Sequence, residues 1–344
     1  MAEETKLNIK APRADDKPLW DVMLALYGYP ALLIAHKLKV FPLLADKARS
    51  VSEICDELKI KKRPAEAILT TATALGFLSL KDKRYSLTAV AEDYLLEKSP
   101  NYFGFFWDLM IENIKVSSFE NIEKAILTDS PQVYGGGDLY KTHDEQTKLV
   151  DRFTCGMHSI SMNSALVWPE IIDLSKHRVM LDIGGGSGAH AIGAALKLPN
   201  LRAQILDNPE VCEVAQKFIV QYGLQDRIEK CEIDMWCDPW PAADLHFYSN
   251  IYHDWTPEKC SFLSAKSFNH LESGGRIIIQ EMLYNDEKTG SFAPAAFSML
   301  MMGWTEGQMY SGQEISSMLK DAGFCNIQVH PAFGYFSIVT GHKP

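Results

Sequence analysis

Val179-Met-Leu-Asp-Ile-Gly-Gly-Gly-Ser-Gly-Ala189 is an apolar run that ends in an acid and then breaks into glycines. The pattern predicts a buried parallel strand turning sharply into a helix, with a turn shaped for a small anionic or zwitterionic ligand. Gly184, Gly185, Gly186 and Gly188 clear Cβ atoms from one face of the loop, opening the N–H groups at the start of the next helix to a ligand. The spacing Gly184-x-Gly186-x-x-Ala189 also satisfies the dinucleotide pattern G-x-G-x-x-G/A. Taken alone, the loop leaves a nicotinamide and another adenosyl ligand both open.

Around this stretch, strand-like and helix-like segments alternate. Strands are expected at residues 179–183, 203–207, 228–234, 244–249 and 276–280, which is the rhythm of a doubly wound parallel sheet. Two last strands, 326–330 and 335–340, are too close in sequence for a parallel crossover, so they form an antiparallel hairpin. A nicotinamide enzyme would extend the sheet with a second parallel half, and this ending argues against one.

The N-terminal half reads differently. Residues 1–18 are charged and hold Pro12 and Pro18, suggesting a loose arm. A helical rhythm follows from Leu19 to about Asp46, then Ser50-Val-Ser-Glu53 opens a capped helix, and a second apolar helix runs from Ala65 to Leu75. The stretch from Phe77 to Thr88 is a strand-turn-strand, completing a winged helix-turn-helix. DNA binding by that motif, as in a ligand-binding regulator, is disfavoured: net charge is −10 and the second helix, A-E-A-I-L-T-T-A-T-A-L, has little base-reading chemistry. A dimerisation module is the better expectation. Residues 100–168 are mostly helical with a loop at Gly135-Gly-Gly-Asp138, giving two expected domains, 1–165 and 166–344.

The chain of 344 residues has 47% hydrophobic and 23% charged residues, an ordinary globular balance, and its net charge of −10 argues against phosphate-neutralising nucleic-acid binding. Seven cysteines without a C-x-x-C imply reduced thiols and no metal site. No signal core is evident, and no apolar run looks long enough for a bilayer, so a cytoplasmic location without membrane association is expected.

Chemistry gathers at the strand ends. Asp182, Asp207 and Asp234 close the first three strands of the sheet, where they can surround one adenosine: hydroxyls at Asp207, the adenine edge near Asp234, and Met235 stacked on the ring. After the fourth strand, His253 and Asp254 lie over that ligand, and the imidazole suits proton removal near neutral pH. Glu281, ending the fifth strand, is placed to orient the imidazole.

These motifs together resemble the small-molecule O-methyltransferases that use S-adenosylmethionine, a group including caffeate and acetylserotonin O-methyltransferases. The resemblance runs through L-D-I-G-G-G-S-G, I-L-D-N-P-E-V, I-Y-H-D-W, L-E-S-G-G-R-I-I-I-Q-E, T-E-G-Q and L-K-D-A-G-F, nearly the whole chain. It implies a Rossmann-like seven-stranded catalytic sheet behind a winged-helix dimerisation domain, and a homodimer. It also implies that Gly184, Gly186, Asp207, Asp234 and Met235 bind the cofactor near Ser249, that His253 is the general base, and that Glu281 is one of two flanking acids. Where the family has T-E-G-Q-E-R-T, this chain has Met309 in place of the second glutamate. A base held by one carboxylate is less basic, so the departure admits an acceptor more acidic than a phenol. It also admits C- or N-methylation, or a pericyclic or decarboxylating step in which the cofactor acts only electrostatically. Phe106, Met110, Met157, Met299, Met302, Trp304 and Met309 are expected to enclose a flat hydrophobic or aromatic substrate between the domains.

Overall fold

The computed structural model describes residues 11–133 and 147–344; the glycine loop expected at 135–138 lies outside them. The chain forms two compact units, Met1–Ser99 and Pro100–Pro344. The division falls well before residue 165, because the helices that follow Ser99 pack on one another and on helices of the second unit.

In the first unit, α1 (Lys17–Lys37) and the short α2 (Val40–Leu43) precede a winged element. Strand β1 (Arg49–Ser50) leads into α3 (Val51–Leu58), α4 (Lys62–Ala74), the hairpin β2 (Leu78–Lys81) and β3 (Arg84–Leu87), and α5 (Ala89–Tyr94). The N-terminus of α3 is a full capping box: Glu53 N–H donates to Ser50 Oγ and Ser50 N–H donates to Glu53 Oε2. The wing turns through Asp82 and Lys83, both at positive φ, the geometry that matches strand twist in a two-residue hairpin. Helix α4 buries Ala65, Leu69 and Ala72, so its small apolar face is core.

One expectation is corrected here. Helix α1 has 21 residues and a mean hydropathy of 1.4 over its best window, long and apolar enough to cross a membrane. Its apolar side chains are exposed rather than packed, Leu19 and Val22 at 75% and Leu26 at 68%.

The second unit opens with α6 (Gly104–Glu112), α7 (Phe119–Thr128) and α8 (Thr147–Ala165). Strands and helices then alternate: β4 (Val179–Ile183), α9 (Ala189–Lys197), β5 (Arg202–Asp207), α10 (Pro209–Gln221), β6 (Ile228–Glu232), β7 (Leu245–Ser249), α11 (Pro257–His270) and β8 (Arg276–Met282). Helices α12 (Phe292–Trp304) and α13 (Gly312–Ala322) precede β9 (Cys325–Pro331) and β10 (Phe336–His342). The seven strands stand in the order β6-β5-β4-β7-β8-β10-β9, with β10 antiparallel to both neighbours. The expected hairpin is therefore present, and its second strand inserts beside β8.

Side chains along these strands alternate between two helix-covered faces. Met180, Phe247 and Ile278 belong to the cluster around Trp168, whose ring stacks on Phe247 at a centroid distance of 4.3 Å. Leu181, Tyr248, Ile277 and Ile279 face the other layer, with α11 and α13. Order reverses between β4 and β7, so the crevice beyond their carboxyl ends is where such a sheet takes its ligand.

Candidate active site

A cavity of about 360 Å³ opens at that crevice, lined by the glycine loop, the ends of β5 and β7, and helices α6, α8 and α12. Its lining comes from residues 106–161 and 182–305, all of which belong to the second unit.

The glycine loop is fixed from both sides. Gly184 N–H donates to Leu206 O at 2.8 Å, and Gly186 N–H donates to Asp207 Oδ2 at 2.8 Å. Gly184 has φ +65°, and a Cβ there would stand 2.5 Å from Ile251 Cδ1, so glycine alone lets the loop pass. Asp207 accepts from Asn208 N–H at 2.8 Å with its other oxygen. Burial raises Asp207 to about 6, although these backbone donors pull the other way. Burial likewise raises Asp182 to about 7, against the Ala191 N–H that donates to it at 3.2 Å from the first turn of α9. Two poised acids and an open backbone fit a zwitterionic adenosyl ligand whose ribose and ammonium supply donors.

Asp234 and Met235 also line the cavity, but β6 stops at Glu232 and Asp234 lies in the loop beyond it. There Asp234 Oδ1 accepts from Trp236 N–H at 2.7 Å. Ser249 ends β7 on the wall and its hydroxyl accepts from Gln280 Nε2 at 3.3 Å.

Beyond β7 the chain turns through Asn250, at φ +56°, into a single 3-10 turn, Tyr252–Asp254. His253 Nδ1 is 2.6 Å from Glu281 Oε2, and Nε2 is 3.5 Å from Asp254 Oδ1. Burial depresses the imidazole, yet the charges of Glu281 and Asp254 overcome it and hold His253 at about 9. With Met309 in place of an acid, the imidazole still meets two carboxylates, Glu281 at one nitrogen and Asp254 at the other.

Phe106, Met110, Met157 and Trp304 take their expected places on the wall, joined by Phe153, Phe297 and Leu300. Met299, Met302 and Met309 do not line it. Met299 is 44% exposed, Met302 half-buried, and Met309 packs into an apolar cluster with Met301 and Trp304. A helix presents one face to a cavity, so consecutive methionines cannot all reach it. Glu281 also stands behind the wall, acting on it through His253. Sequence reading missed Thr154, Ser161 and His190, which line the cavity, and the contact of His158 Nδ1 with Ser187 Oγ at 2.8 Å. Helical spacing from Met157 finds Thr154 and Ser161; His190 carries no such signal.

The family model of the O-methyltransferase domain matches residues 119–325, and that of the O-methyltransferase dimerisation domain matches residues 20–97. The chain belongs to the O-methyltransferase family. The 3-hydroxy-5-methyl-1-naphthoate 3-O-methyltransferase of Streptomyces sahachiroi is 33% identical to this methyltransferase, over 90% of each chain. The L-tyrosine C(3)-methyltransferase of Streptomyces lavendulae is 30% identical over 92% of this chain and 88% of its own. The crystal structure of human N-acetylserotonin methyltransferase in complex with S-adenosylmethionine has a TM-score of 0.85 and 23% identity, covering 97% of this chain and 99% of that one. This methyltransferase uses S-adenosylmethionine and transfers its methyl group to oxygen.

Proposed function

We propose that the enzyme methylates a hydroxyl of a small, flat aromatic metabolite, with His253 as general base. The observation that carries this reading is the His253 imidazole on the cavity wall, backed at Nδ1 by Glu281 at 2.6 Å and faced by an apolar surface that includes Phe297, 5.4 Å from the imidazole. Glu281 accepts from Nδ1–H, which leaves Nε2 to take the acceptor's proton.

The loop from Gly184 to Gly186, together with Asp182, Asp207 and Ser249, holds the ribose and amino-acid part of the cofactor; Asp234 and Met235 hold its base. When bound, S-adenosylmethionine supplies an activated methyl group. What the chain supplies is alignment, an apolar enclosure and a proton acceptor. With His253 near 9 and a phenol near 10, proton transfer from hydroxyl to Nε2 is close to balanced. The imidazolium so formed, held by Glu281 and Asp254, passes its proton to solvent after the ether forms.

The exposed apolar face of α1 suits burial by a second copy, giving a homodimer through the dimerisation domain. Seven free cysteines and an acidic surface balance favour the cytoplasm.

The test is incubation with trideuteromethyl-labelled cofactor and a panel of hydroxylated naphthalenes and anthraquinones, read by mass spectrometry. A labelled ether, cleaved by boron tribromide, supports the proposal. A labelled carbon–methyl product that survives cleavage refutes it, and would align the enzyme with the tyrosine C(3)-methyltransferase it resembles.

A further inference from the structure

The loop after β6 is held from behind by a lysine with no part in the chemistry above. Lys266, on α11, directs its ammonium at three backbone carbonyls, donating to Met235 O at 2.8 Å, Trp236 O at 3.2 Å and Asp238 O at 2.8 Å. An ammonium has three N–H donors, and these three acceptors match that capacity. The same ammonium lies 4.7 Å from the centroid of the Trp240 ring, and the Trp240 indole N–H donates to Met235 O at 3.2 Å. The loop also closes on itself: Asp234 N–H donates to Asp238 Oδ2 at 2.9 Å, and Asp238 N–H to Asp234 O at 3.1 Å.

Carbonyl dipoles converging on one point repel unless a cation sits among them. With Lys266 there, the carbonyls of Met235, Trp236 and Asp238 converge on one ammonium, while Asp234, Met235 and Trp236 stand on the cavity wall. Lys266 itself does not line the cavity.

We infer that Lys266 is a positioning residue for the purine end of the cofactor: by gathering the carbonyls of Met235, Trp236 and Asp238, it sets where Asp234 and Met235 meet the nucleobase. This rests on the proposed assignment of Asp234 and Met235 to the base, and the acceptor plays no part in it. A neutral side chain at 266 releases the three carbonyls, and the loop loses the shape that reads the purine edge.

The test is calorimetric titration of wild type, K266M and K266R with S-adenosylhomocysteine and with its 6-oxo analogue, in which inosine replaces adenosine. Wild type is expected to prefer S-adenosylhomocysteine by about tenfold or more, and K266M to lose most of that preference while binding the analogue nearly as before. K266R retains much of the preference, because a guanidinium still donates to carbonyls. Equal weakening of both ligands in K266M marks a merely structural lysine and overturns the inference, as does unchanged affinity for S-adenosylhomocysteine. If K266M does not fold, K266Q is read by the same ratio. Failure of wild type to bind either ligand overturns the cofactor assignment of the cavity, and this inference with it.

Discussion

His253 and Glu281 share a 2.6 Å contact, and the second oxygen of that carboxylate accepts N–H bonds from Ile251 at 3.0 Å and Tyr252 at 2.9 Å. One buried side chain on β8 therefore fixes the imidazole's tautomer and the backbone turn that carries it. Base strength and base position have a common support, and most tests of the site follow from that.

Replacing His253 by alanine should lower kcat about 100-fold or more with an unactivated phenol, the usual scale of general-base catalysis. The deficit should shrink with acceptors of lower pKa, which arrive already ionised. In wild type, kcat/KM should rise with pH until His253 loses its proton near 9. Equal deficits for acidic and weakly acidic phenols would rule out His253 as the base.

Stability has the opposite pH dependence. His253 is raised from 6.5 to about 9, so its ion pairs contribute fully below 6.5 and are lost as pH rises through 9. Glu281→Gln should flatten that fall, shift the activity profile to lower pH, and cost roughly 1–3 kcal/mol through the weakened turn. Thermal melts of both proteins from pH 6 to 10 check the first point; an unmoved pH–rate profile would contradict the second.

Gly307 presses on the same turn from the T-E-G-Q segment. A Cβ there would lie 2.3 Å from His253 O and 2.4 Å from Trp255 N, so Gly307→Ala must displace the base. The expected result is a loss in kcat of about 100-fold, the scale of a 1 Å misplacement, with S-adenosylhomocysteine affinity retained. Parallel loss of cofactor affinity would show that the disturbance is not confined to the His253 turn.

Met309 is buried among apolar side chains, 1% exposed. Met309→Leu should therefore cost under about 1.5 kcal/mol and leave kcat unchanged. Met309→Glu should destabilise by several kcal/mol, on the order of an unpaired buried polar group, rather than add a flanking acid. A stable Met309→Glu enzyme with a more basic His253 would contradict the placement of Met309 in the apolar cluster.

Asp207, near 6 in the free protein, gains hydroxyl donors when ribose binds, and these favour its charged form. Binding of S-adenosylhomocysteine at pH 6 should then release up to about half a proton. Calorimetry in two buffers of different ionisation enthalpy measures it, and Asp207→Asn should remove Asp207's share, leaving only what Asp182, raised to about 7, releases.

The strands of the sheet were legible within two residues because each short run breaks at a polar residue or a glycine, and the central ones, buried on both faces, are almost wholly apolar. The places of the glycine loop, Asp207 and His253 on the cavity wall were legible for the same local reason: they sit at or just after strand ends, which sequence marks. Glu281 was legible as a partner of His253, but its two backbone bonds were not.

The sequence by itself determined the layered sheet, the glycine loop and the place of His253 after the fourth strand, since each depends on neighbours close in the chain. Tertiary structure alone decided which methionines of α12 reach the cavity, that Asp254 takes the second flank of His253, and that Lys266 gathers the loop after β6. Those outcomes depend on the rotation of a helix about its axis, on the fold of the 3-10 turn that brings Asp254 back onto the neighbouring imidazole, and on the approach of α11 to a loop some thirty residues earlier, and none of these is written in local spacing.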